Sequence, residues 1–327
     1  PMVALSALEY KIISKDFKVN CTGKIEMYGQ TFHCWKEKGH GVVDLKNAMK
    51  QSCDSYFYEI SRQLGVDRLR KTSTKFGLGD KVLSGAYANE KEGLVPDTDW
   101  KKNNLGKSWV LGETLITGIG QGYIQTTPLQ LCLMIAQIAN GGFKIYPKIV
   151  VDKNDKTADE IKNLMNESLK DKNIRENSLL EEGQELFKSL NKKSYDSLFL
   201  DTENIRLIKE AIFASTNEVR GTSYSSRIED PKYQFAGKTG TSQVKRISKR
   251  DRELDLKTFE IPYNERDHAL YVAFGPYKNP RYALSIVIEH GGSGSSAAAP
   301  IAKELFKLII DRHDLREKKI KQKSIKI

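Results

Sequence analysis

The sequence predicts an α+β fold, in which helices pack against an antiparallel sheet. Apolar residues recur with helical spacing in the first part of the chain, for example in residues 45–64. Two later apolar runs, 269–274 and 282–289, flank the segment GPYKNP at 275–280, which indicates a hairpin. A further helical pattern follows the hairpin. The elements therefore follow the order helices, hairpin, closing helix, and this order predicts the α+β class.

The individual elements are predicted from apolar spacing and from residues typical of element ends. In residues 45–64 the large apolar side chains share one side, and Gly65 favours a stop after them. Pro128 stands in the favoured first turn of another helix. Residues 19–44 are predicted to be rich in loops, and residues 84–116 to be irregular. The predicted helices span residues 2–13, 45–64, 66–76, 128–139, 203–216 and 297–312, and the predicted strands span 235–244, 269–274 and 282–289.

Length and composition fit one large domain with a polar insertion. The chain has 327 residues, of which 39% are hydrophobic, and this is enough to form a core. Residues 152–202 are rich in Lys, Glu, Asn and Asp and poor in apolar residues, which predicts an exposed, partly helical insertion rather than a second domain. We therefore predict one domain over residues 1–315, followed by a basic tail over residues 316–327.

The net charge of +11 narrows the classes of partner. It fits either a solvated, lysine-rich surface or a basic face near anionic lipid or polymer. Basic runs such as residues 316–323 lie at the tail and no nucleic-acid reader motif is present, so we expect no nucleic acid as a partner. No run reaches the ~18 to 20 apolar residues of a membrane span, and no signal peptide is recognisable.

Three short motifs carry the chemical information. The segment GKTGT at 237–241 opens a predicted strand, SCD at 52–54 precedes a helix rich in Tyr and Phe, and GIGQG at 118–122 precedes a TTP turn. A glycine such as Gly240 leaves the face of a strand bare, so that a peptide can lie against it. Each motif has an ordinary explanation when taken alone. Lys238 would be a surface lysine, and the SCD segment would be a helix N-cap.

In their order along the chain, SCD, then GIGQG, then GKTGT, the three motifs resemble the transpeptidase domain of class B penicillin-binding proteins. The Ser-x-Asp form of the second motif is most similar to the branch of penicillin-binding protein 2, the elongation D,D-transpeptidase of rod-shaped bacteria. Residues 35–41 and 266–277 also look like that branch. The similarity runs from residue 1 to about residue 312 and is weakest over 152–200. The resemblance implies the α+β fold of penicillin-binding transpeptidases and serine β-lactamases.

The nucleophile of the family is the serine of a Ser-x-x-Lys motif, which we expect upstream of residue 1. In the family, proline and an apolar helix follow that lysine directly, and the segment PMVAL at 1–5 resembles this continuation. Residues 1–315 are therefore interpreted as an N-terminally truncated, partial transpeptidase domain. The missing segment would also hold a membrane anchor and a pedestal domain.

Two other segments have the Ser-x-x-Lys spacing, and neither is expected to supply the nucleophile. Ser189 and Lys192 lie in the polar insertion. Ser242 and Lys245 lie on the predicted strand, where alternation points their side chains to opposite faces.

The resemblance implies acyl transfer, in which a serine is activated by a lysine of lowered pKa. Lys238 would supply the positive charge that lowers this pKa, and would hold the terminal carboxylate of the substrate with Thr239 or Thr241. Ser52 would pass a proton toward the leaving D-Ala. Asp54 would orient Ser52 and the missing lysine. The N–H of Thr241 would form the oxyanion hole together with that of the missing serine.

The predicted activity is that of a serine-type peptidoglycan D,D-transpeptidase, which cross-links stem peptides and is acylated by β-lactams. Residues 1–327 alone are expected to be inactive. A D,D-carboxypeptidase or serine β-lactamase shares the site, and a catalytically inactive fragment is the other alternative. The GIGQG and TTP segments favour the transpeptidase.

The resemblance also implies the partners and the location. The expected partners are the D-Ala-D-Ala end of the stem peptide, β-lactams, a glycan polymerase and membrane proteins of the elongation complex. The domain is expected to face the periplasm from the inner membrane. No cofactor is expected for catalysis.

The cysteines suggest a second kind of site. Cys21, Cys34 and Cys53 lie close together in the sequence, with His33 and His40 between them. Cys21, Cys34, His40 and Cys53 would form a Cys₃His set that suits a structural zinc ion. A Cys21–Cys34 disulfide and free buried thiols are the alternatives, and His33 is the alternative imidazole. A metal ion bound by Cys53 would pin the Ser-x-Asp loop. The fourth cysteine, in an apolar helix, is predicted to be a core thiol.

Overall fold

The structure is a computed structural model. It describes residues 1–27, 29–83, 87–149, 196–245 and 256–324, with side chains through residue 318 in the last helix. Most of the predicted insertion at 152–202 lies outside the described residues, and so do Ser189 and Lys192.

Among the regular elements of the described residues, helices contain more residues than strands do, and the strands are short. The helices are α1 (Met2–Glu9), α2 (Leu45–Lys50), α3 (Asp54–Leu64), α4 (Val66–Lys75), α5 (Thr98–Leu105), α6 (Leu111–Gly118), α7 (Pro128–Ala139), α8 (Thr202–Asn217) and α9 (Ala299–Ser324). The strands are β1 (Lys18–Cys21), β2 (Lys24–Met27), β3 (Gln30–His33), β4 (Gly41–Asp44), β5 (Ala236–Ser242), β6 (His268–Gly275) and β7 (Tyr282–Ile288).

A three-stranded antiparallel sheet lies at the centre, in the order β5-β6-β7. Lys238 of β5 is opposite Val272 of β6 in the register. Because side chains alternate along a strand, β6 presents two different faces. Val272 and Phe274 belong to one buried cluster, and Tyr271 and Ala273 belong to another. Each face of the sheet therefore has its own core.

Helices cover both faces. On one face, Phe306 of α9 stacks on Phe235 with ring centroids 4.9 Å apart. On the other face, α1, α7 and α8 contribute fully buried residues such as Leu5, Ile135 and Ile212. The three layers confirm the predicted fold class of an antiparallel sheet packed by helices.

The prediction that residues 84–116 are irregular was wrong, because α5 and α6 lie there. α5 is capped by the carboxylate of Asp97, which accepts from the N–H of Trp100 at 2.7 Å. Lys101 is its one buried residue. A helix with so little apolar surface has no periodicity from which it could be predicted.

Residues 19–44 are more regular than predicted. They hold two small antiparallel sheets, β1 with β4 and β2 with β3. The predicted helix at 45–64 is two helices, since α2 ends at Lys50 and α3 begins at Asp54. At the other end of the chain, α9 continues through Ser324.

None of the helices within the described ranges is both long enough and apolar enough to cross a membrane.

Candidate active site

The candidate active site begins at the break between α2 and α3. The carboxylate of Asp44 caps α2 by accepting from the N–H of Asn47 at 2.8 Å. At the end of the same helix, Lys50 pairs with Glu218 at 3.2 Å. The chain then turns at Ser52, whose φ of 52° is left-handed. This conformation costs a non-glycine residue ~1–2 kcal/mol, and strain of this kind is concentrated at functional sites.

The turn brings Ser52 into contact with Lys238 of β5. The Lys238 ammonium donates to the Ser52 hydroxyl, to the Thr239 carbonyl at 3.0 Å and to Thr239 Oγ1 at 3.3 Å. Burial lowers the pKa of Lys238 to about 8, although the negative charge of Asp54 partly opposes this shift. Since an ammonium group has only donors, Ser52 Oγ accepts from Lys238 and its own proton points elsewhere.

Asp54 lies beside the same pair, at the first position of α3. Its Oδ2 accepts from the backbone N–H of Trp35 at 2.9 Å. Burial raises the pKa of Asp54 to about 7, and the nearby Cys34 adds to this increase. The Trp35 N–H and the charge of Lys238 act in the opposite direction.

Trp35 holds the Ser52 turn from outside, a role that sequence reasoning missed. Its indole Nε1 donates to the carbonyls of Gln51 at 3.1 Å and Ser52 at 2.8 Å. Together with the bond to Asp54, one residue therefore contacts three of the four residues from 51 to 54. The only sequence signal was that Trp35 lies in a stretch that resembles the family.

Strand β5 lies opposite the Ser52 turn, and the site between this turn and the free edge of β5 is called the groove below. The N–H and C=O of Gly237 both bond to Thr216 Oγ1 of α8, at 3.0 and 3.1 Å, and so point away from β6. Because these directions alternate along a strand, the backbone groups of Thr239 and Thr241 also face the free edge. The Thr241 carbonyl accepts from Gln121 Nε2 at 2.7 Å. This bond brings the GIGQG segment to the same edge.

Gly237 is required by the packing beneath the strand. A Cβ at this position would lie 2.3 Å from the hydroxyl oxygen of Tyr271. That hydroxyl in turn bonds to Thr216 at 2.9 Å and Ser223 at 3.0 Å. The glycine therefore allows a buried hydroxyl network to hold β5 from below.

The structure brings together the predicted site residues Ser52, Asp54, Lys238, Thr239, Gly240 and Thr241. The three motifs, far apart in the sequence, meet at one groove. Pro1, at the start of α1, lies near the Lys238 side chain. Ser242 is exposed, and the amine of Lys245 pairs with Glu265 at 2.5 Å. Ser242 and Lys245 therefore do not form a nucleophile–base pair.

A second cluster lies directly behind the Ser52 turn. One ligand atom each from Cys21, Cys34, His40 and Cys53 lies within 4.8 Å of all the others. His40 Nδ1 is 3.5 Å from Cys21 Sγ and 3.6 Å from Cys34 Sγ. The cysteines are free thiols. His33, the alternative imidazole, is not among the four grouped residues.

Two of the six distances between these ligand atoms match the edges of a tetrahedral metal site. With Zn–S of ~2.3 Å and Zn–N of ~2.0–2.1 Å, the S···N edge of a tetrahedron is ~3.5–3.6 Å, the spacing found here. A hydrogen bond from Cys53 lowers the pKa of Cys34, whereas the same bond and burial raise the pKa of Cys53. A thiolate is the form of cysteine that binds a metal.

The chain is similar to known proteins over almost its full length. The family model for the penicillin-binding protein transpeptidase domain matches residues 1–307. The peptidoglycan D,D-transpeptidase MrdA of Salmonella typhimurium strain SL1344 is 30% identical over 316 residues, which is 95% of this chain and 45% of that protein. MrdA of Acinetobacter baumannii is 31% identical over 308 residues, 94% of this chain and 40% of that protein. The chain thus spans less than half the length of these curated relatives.

Solved structures give the same similarity in three dimensions. Pseudomonas aeruginosa PBP2, in complex with WCK 5153, superposes with a TM-score of 0.71 at 30% identity, covering 94% of this chain and 59% of that one. Helicobacter pylori PBP2, in complex with MreC, superposes with a TM-score of 0.71 at 28% identity, covering 94% and 48%.

Proposed function

Because the chain belongs to the penicillin-binding protein transpeptidase family, we propose that it is the transpeptidase domain of a peptidoglycan D,D-transpeptidase of the elongation type. The domain would occupy residues 1–315, with the insertion at 152–202 and a basic tail after it. Its reaction is acyl transfer from the D-Ala-D-Ala end of one stem peptide to the amine of another. β-Lactams acylate the same serine nucleophile.

The observation that carries this proposal is the contact between Lys238 and Ser52 in one groove. The two residues are 186 positions apart, and neither motif is distinctive alone. A buried ammonium beside a serine held at positive φ and a half-buried carboxylate suits acyl transfer from a peptide that ends in a carboxylate.

Each residue has a role in this mechanism. The positive charge of Lys238 attracts the terminal carboxylate of the substrate. The Lys238 ammonium donates to Ser52. Since Ser52 Oγ accepts from Lys238, its own proton is available to the leaving nitrogen of D-Ala or of the β-lactam. Asp54 orients Ser52. The N–H of Thr241 faces the free edge of β5, where it donates to the developing oxyanion.

The direct test is acylation by a labelled penicillin, with the protein expressed from its own gene and the adduct mapped by peptide mass spectrometry. We expect one stable acyl-enzyme on the serine of a Ser-x-x-Lys segment other than Ser189 and Ser242. An adduct on Ser52 would show that its role is wrongly assigned. Rapid release of hydrolysed penicillin would instead identify a β-lactamase. Absence of any adduct would contradict the proposed function.

A Trp35→Phe substitution tests how the Ser52 turn is held. The variant keeps an aromatic ring and the backbone N–H to Asp54, but loses the two indole hydrogen bonds. Two neutral hydrogen bonds contribute ~1–3 kcal/mol together, so we expect about a tenfold slower acylation by labelled penicillin. The matched control is Tyr146→Phe, an exposed aromatic outside the groove. Equal acylation rates in wild type and Trp35→Phe would show that the indole hydrogen bonds of Trp35 have no role in acylation.

We also propose that Cys21, Cys34, His40 and Cys53 bind a structural zinc ion. Support comes from the S···N distances, the burial of the three thiols and the preference of zinc for such ligand sets. Four protein ligands leave no open position, so the ion would take no part in the chemistry. Cys53 adjoins Ser52, and Trp35 packs on His40 with ring centroids 5.5 Å apart.

Chelation tests the zinc proposal with a structural readout and a kinetic one. Elemental analysis of the purified protein is expected to give about one zinc per chain. Removal of the metal should lower the melting temperature, because the cluster ties β1, β3 and α3 together, and should slow acylation by loosening the Ser52 turn. A purified protein without zinc would contradict the metal site. Acylation that is unchanged after confirmed zinc loss would contradict the link between the metal and the Ser52 turn.

Partners and location follow from the same proposal. The partners are the stem peptide, β-lactams, a glycan polymerase and membrane proteins of the elongation complex. The domain would face the periplasm from the inner membrane. Support comes from the similarity to the MrdA proteins and to the PBP2 that was solved with MreC.

A further inference from the structure

Thr222 links the two sides of the groove, although it belongs to none of the three motifs. Its backbone N–H donates to the carbonyl of Lys50 at 3.1 Å, two residues before Ser52. Its hydroxyl lies 3.0 Å from Thr239 Oγ1 on β5 and 3.2 Å from Ser215 Oγ on α8. Three hydroxyl groups therefore form a chain from a buried helix to the edge of the groove.

The buried end of this chain fixes the direction of its hydrogen bonds. A hydroxyl has one proton to donate and two lone pairs. Ser215 is fully buried, and across the part of the chain that the structure describes, Thr222 is the hydrogen-bond partner of its hydroxyl. The Ser215 proton therefore goes to Thr222. The opposite direction would bury that proton without an acceptor, which folded proteins avoid.

In the described residues, the hydroxyl of Thr222 has Ser215 and Thr239 as its partners. Once Ser215 has donated to Thr222, the Thr222 proton therefore goes to Thr239. Thr239 Oγ1 also accepts from the Lys238 ammonium at 3.3 Å, so both of its lone pairs are occupied. Its single proton is left for an acceptor in the groove. Beside a buried ammonium, the acceptor that fits is an anionic oxygen.

We infer that Thr222 is a positioning residue, which orients the Thr239 hydroxyl as a hydrogen-bond donor to the carboxylate of the bound peptide or β-lactam. This inference rests on the proposed function and assigns a specificity role to a residue that does not touch the ligand. It predicts that Thr222 matters for ligands that carry a carboxylate and not for ligands in which the carboxylate is masked.

The test compares benzylpenicillin with its methyl ester, using the protein expressed from its own gene. Non-covalent affinity and the acylation rate constant are measured separately for each ligand. Thr222→Val removes the hydroxyl but keeps the branched shape and the N–H to Lys50. We expect the preference for the acid over the ester to fall about tenfold, mainly through weaker non-covalent binding of the acid, as for one lost charge-assisted hydrogen bond. Thr222→Ser should restore the preference to within about twofold.

The possible outcomes separate this inference from the proposed function. Equal losses for acid and ester in Thr222→Val, or no recovery in Thr222→Ser, would show a purely structural role and overturn the inference. If circular dichroism shows that Thr222→Val does not fold, the same acid–ester comparison is made with Ser215→Ala, which removes the hydroxyl that donates to Thr222. We then expect a smaller loss of the preference for the acid. A wild-type protein that neither ligand acylates would contradict the proposed function itself.

Discussion

Replacement of Lys238 by methionine is expected to slow acylation by penicillin by ~10²- to 10³-fold, the usual effect of removing one electrostatic contact from a site of this kind. The methionine side chain is unbranched and similar in length to that of lysine, so it fills the space that the Lys238 side chain occupies beside Ser52. What is lost is the donor to Ser52 and the positive charge that is proposed to hold the substrate carboxylate. The measurement is the second-order rate constant of acylation by a labelled penicillin.

The control for this variant is Lys209→Met. Burial lowers the pKa of Lys209 to about 8 as well, but its amine donates to the carbonyl of Ala139 at 2.9 Å, at the end of α7. This variant therefore removes an equally buried ammonium outside the groove. We expect a lower melting temperature with acylation within about twofold of wild type, since distant sites act independently. Comparable kinetic losses in the two variants would mean that Lys238 acts only through stability.

The pH profile gives an independent check on Lys238. Burial lowers its pKa to about 8, so the second-order acylation constant should fall as the pH rises above about 8 and the ammonium loses its proton. Stability should change in the opposite direction. The unfolded lysine keeps a pKa of ~10.4, so the unfolded state binds more protons between the two values, and this group favours folding more as the pH rises through that window. We therefore expect acylation to fall at alkaline pH without unfolding in the wild type. Absence of this decline in Lys238→Met would identify Lys238 as the titrating group.

The sequence was sufficient for the elements whose pattern reflects burial. Strand β6 and helices α1, α7 and α8 are rich in buried apolar residues, and their apolar patterns predicted them. Strand β5 has the sequence AGKTGTS, with little apolar periodicity, and it was predicted from its motif. α5 could not be found this way, because it is held by the Asp97 cap and a buried pair between Lys101 and Glu113 at 2.5 Å. Neither a cap nor a single polar pair produces apolar periodicity.

The residues of the candidate site also divide into those that the sequence predicted and those that it did not. Lys238, Ser52 and Asp54 were predicted because their motifs resemble a known family, and the order of the motifs implied that they meet. Trp35 and Thr222 were not predicted, because each acts through hydrogen bonds to backbone or to other hydroxyls. The break at Ser52 was predicted only in part, since SCD at 52–54 was placed directly before a helix while the helical pattern was extended over 45–64. Apolar spacing continues across it, while the chain leaves the helical path at a single positive φ.

The strain at Ser52 makes it possible to separate its chemistry from its backbone. Ser52→Ala removes the hydroxyl that passes a proton to the leaving nitrogen, and we expect ~10²- to 10⁴-fold slower acylation, the range for a lost general acid. Ser52→Gly removes the same hydroxyl but relieves the left-handed conformation, since glycine adopts positive φ without a steric cost. Its free energy of unfolding, measured in denaturant, should therefore be no lower than that of Ser52→Ala.

The two Ser52 variants should share the kinetic defect in spite of any difference in stability. Acylation rates and unfolding free energies are measured on the same preparations, so that a damaged fold is distinguished from a missing proton donor. If Ser52→Gly recovered acylation to near wild-type rates, the hydroxyl would have no part in proton transfer, and the turn alone would explain why Ser52 lies against Lys238. If both variants are slow while Ser52→Gly is at least as stable, the hydroxyl itself carries the chemistry, because the backbone has been relaxed without any gain in rate.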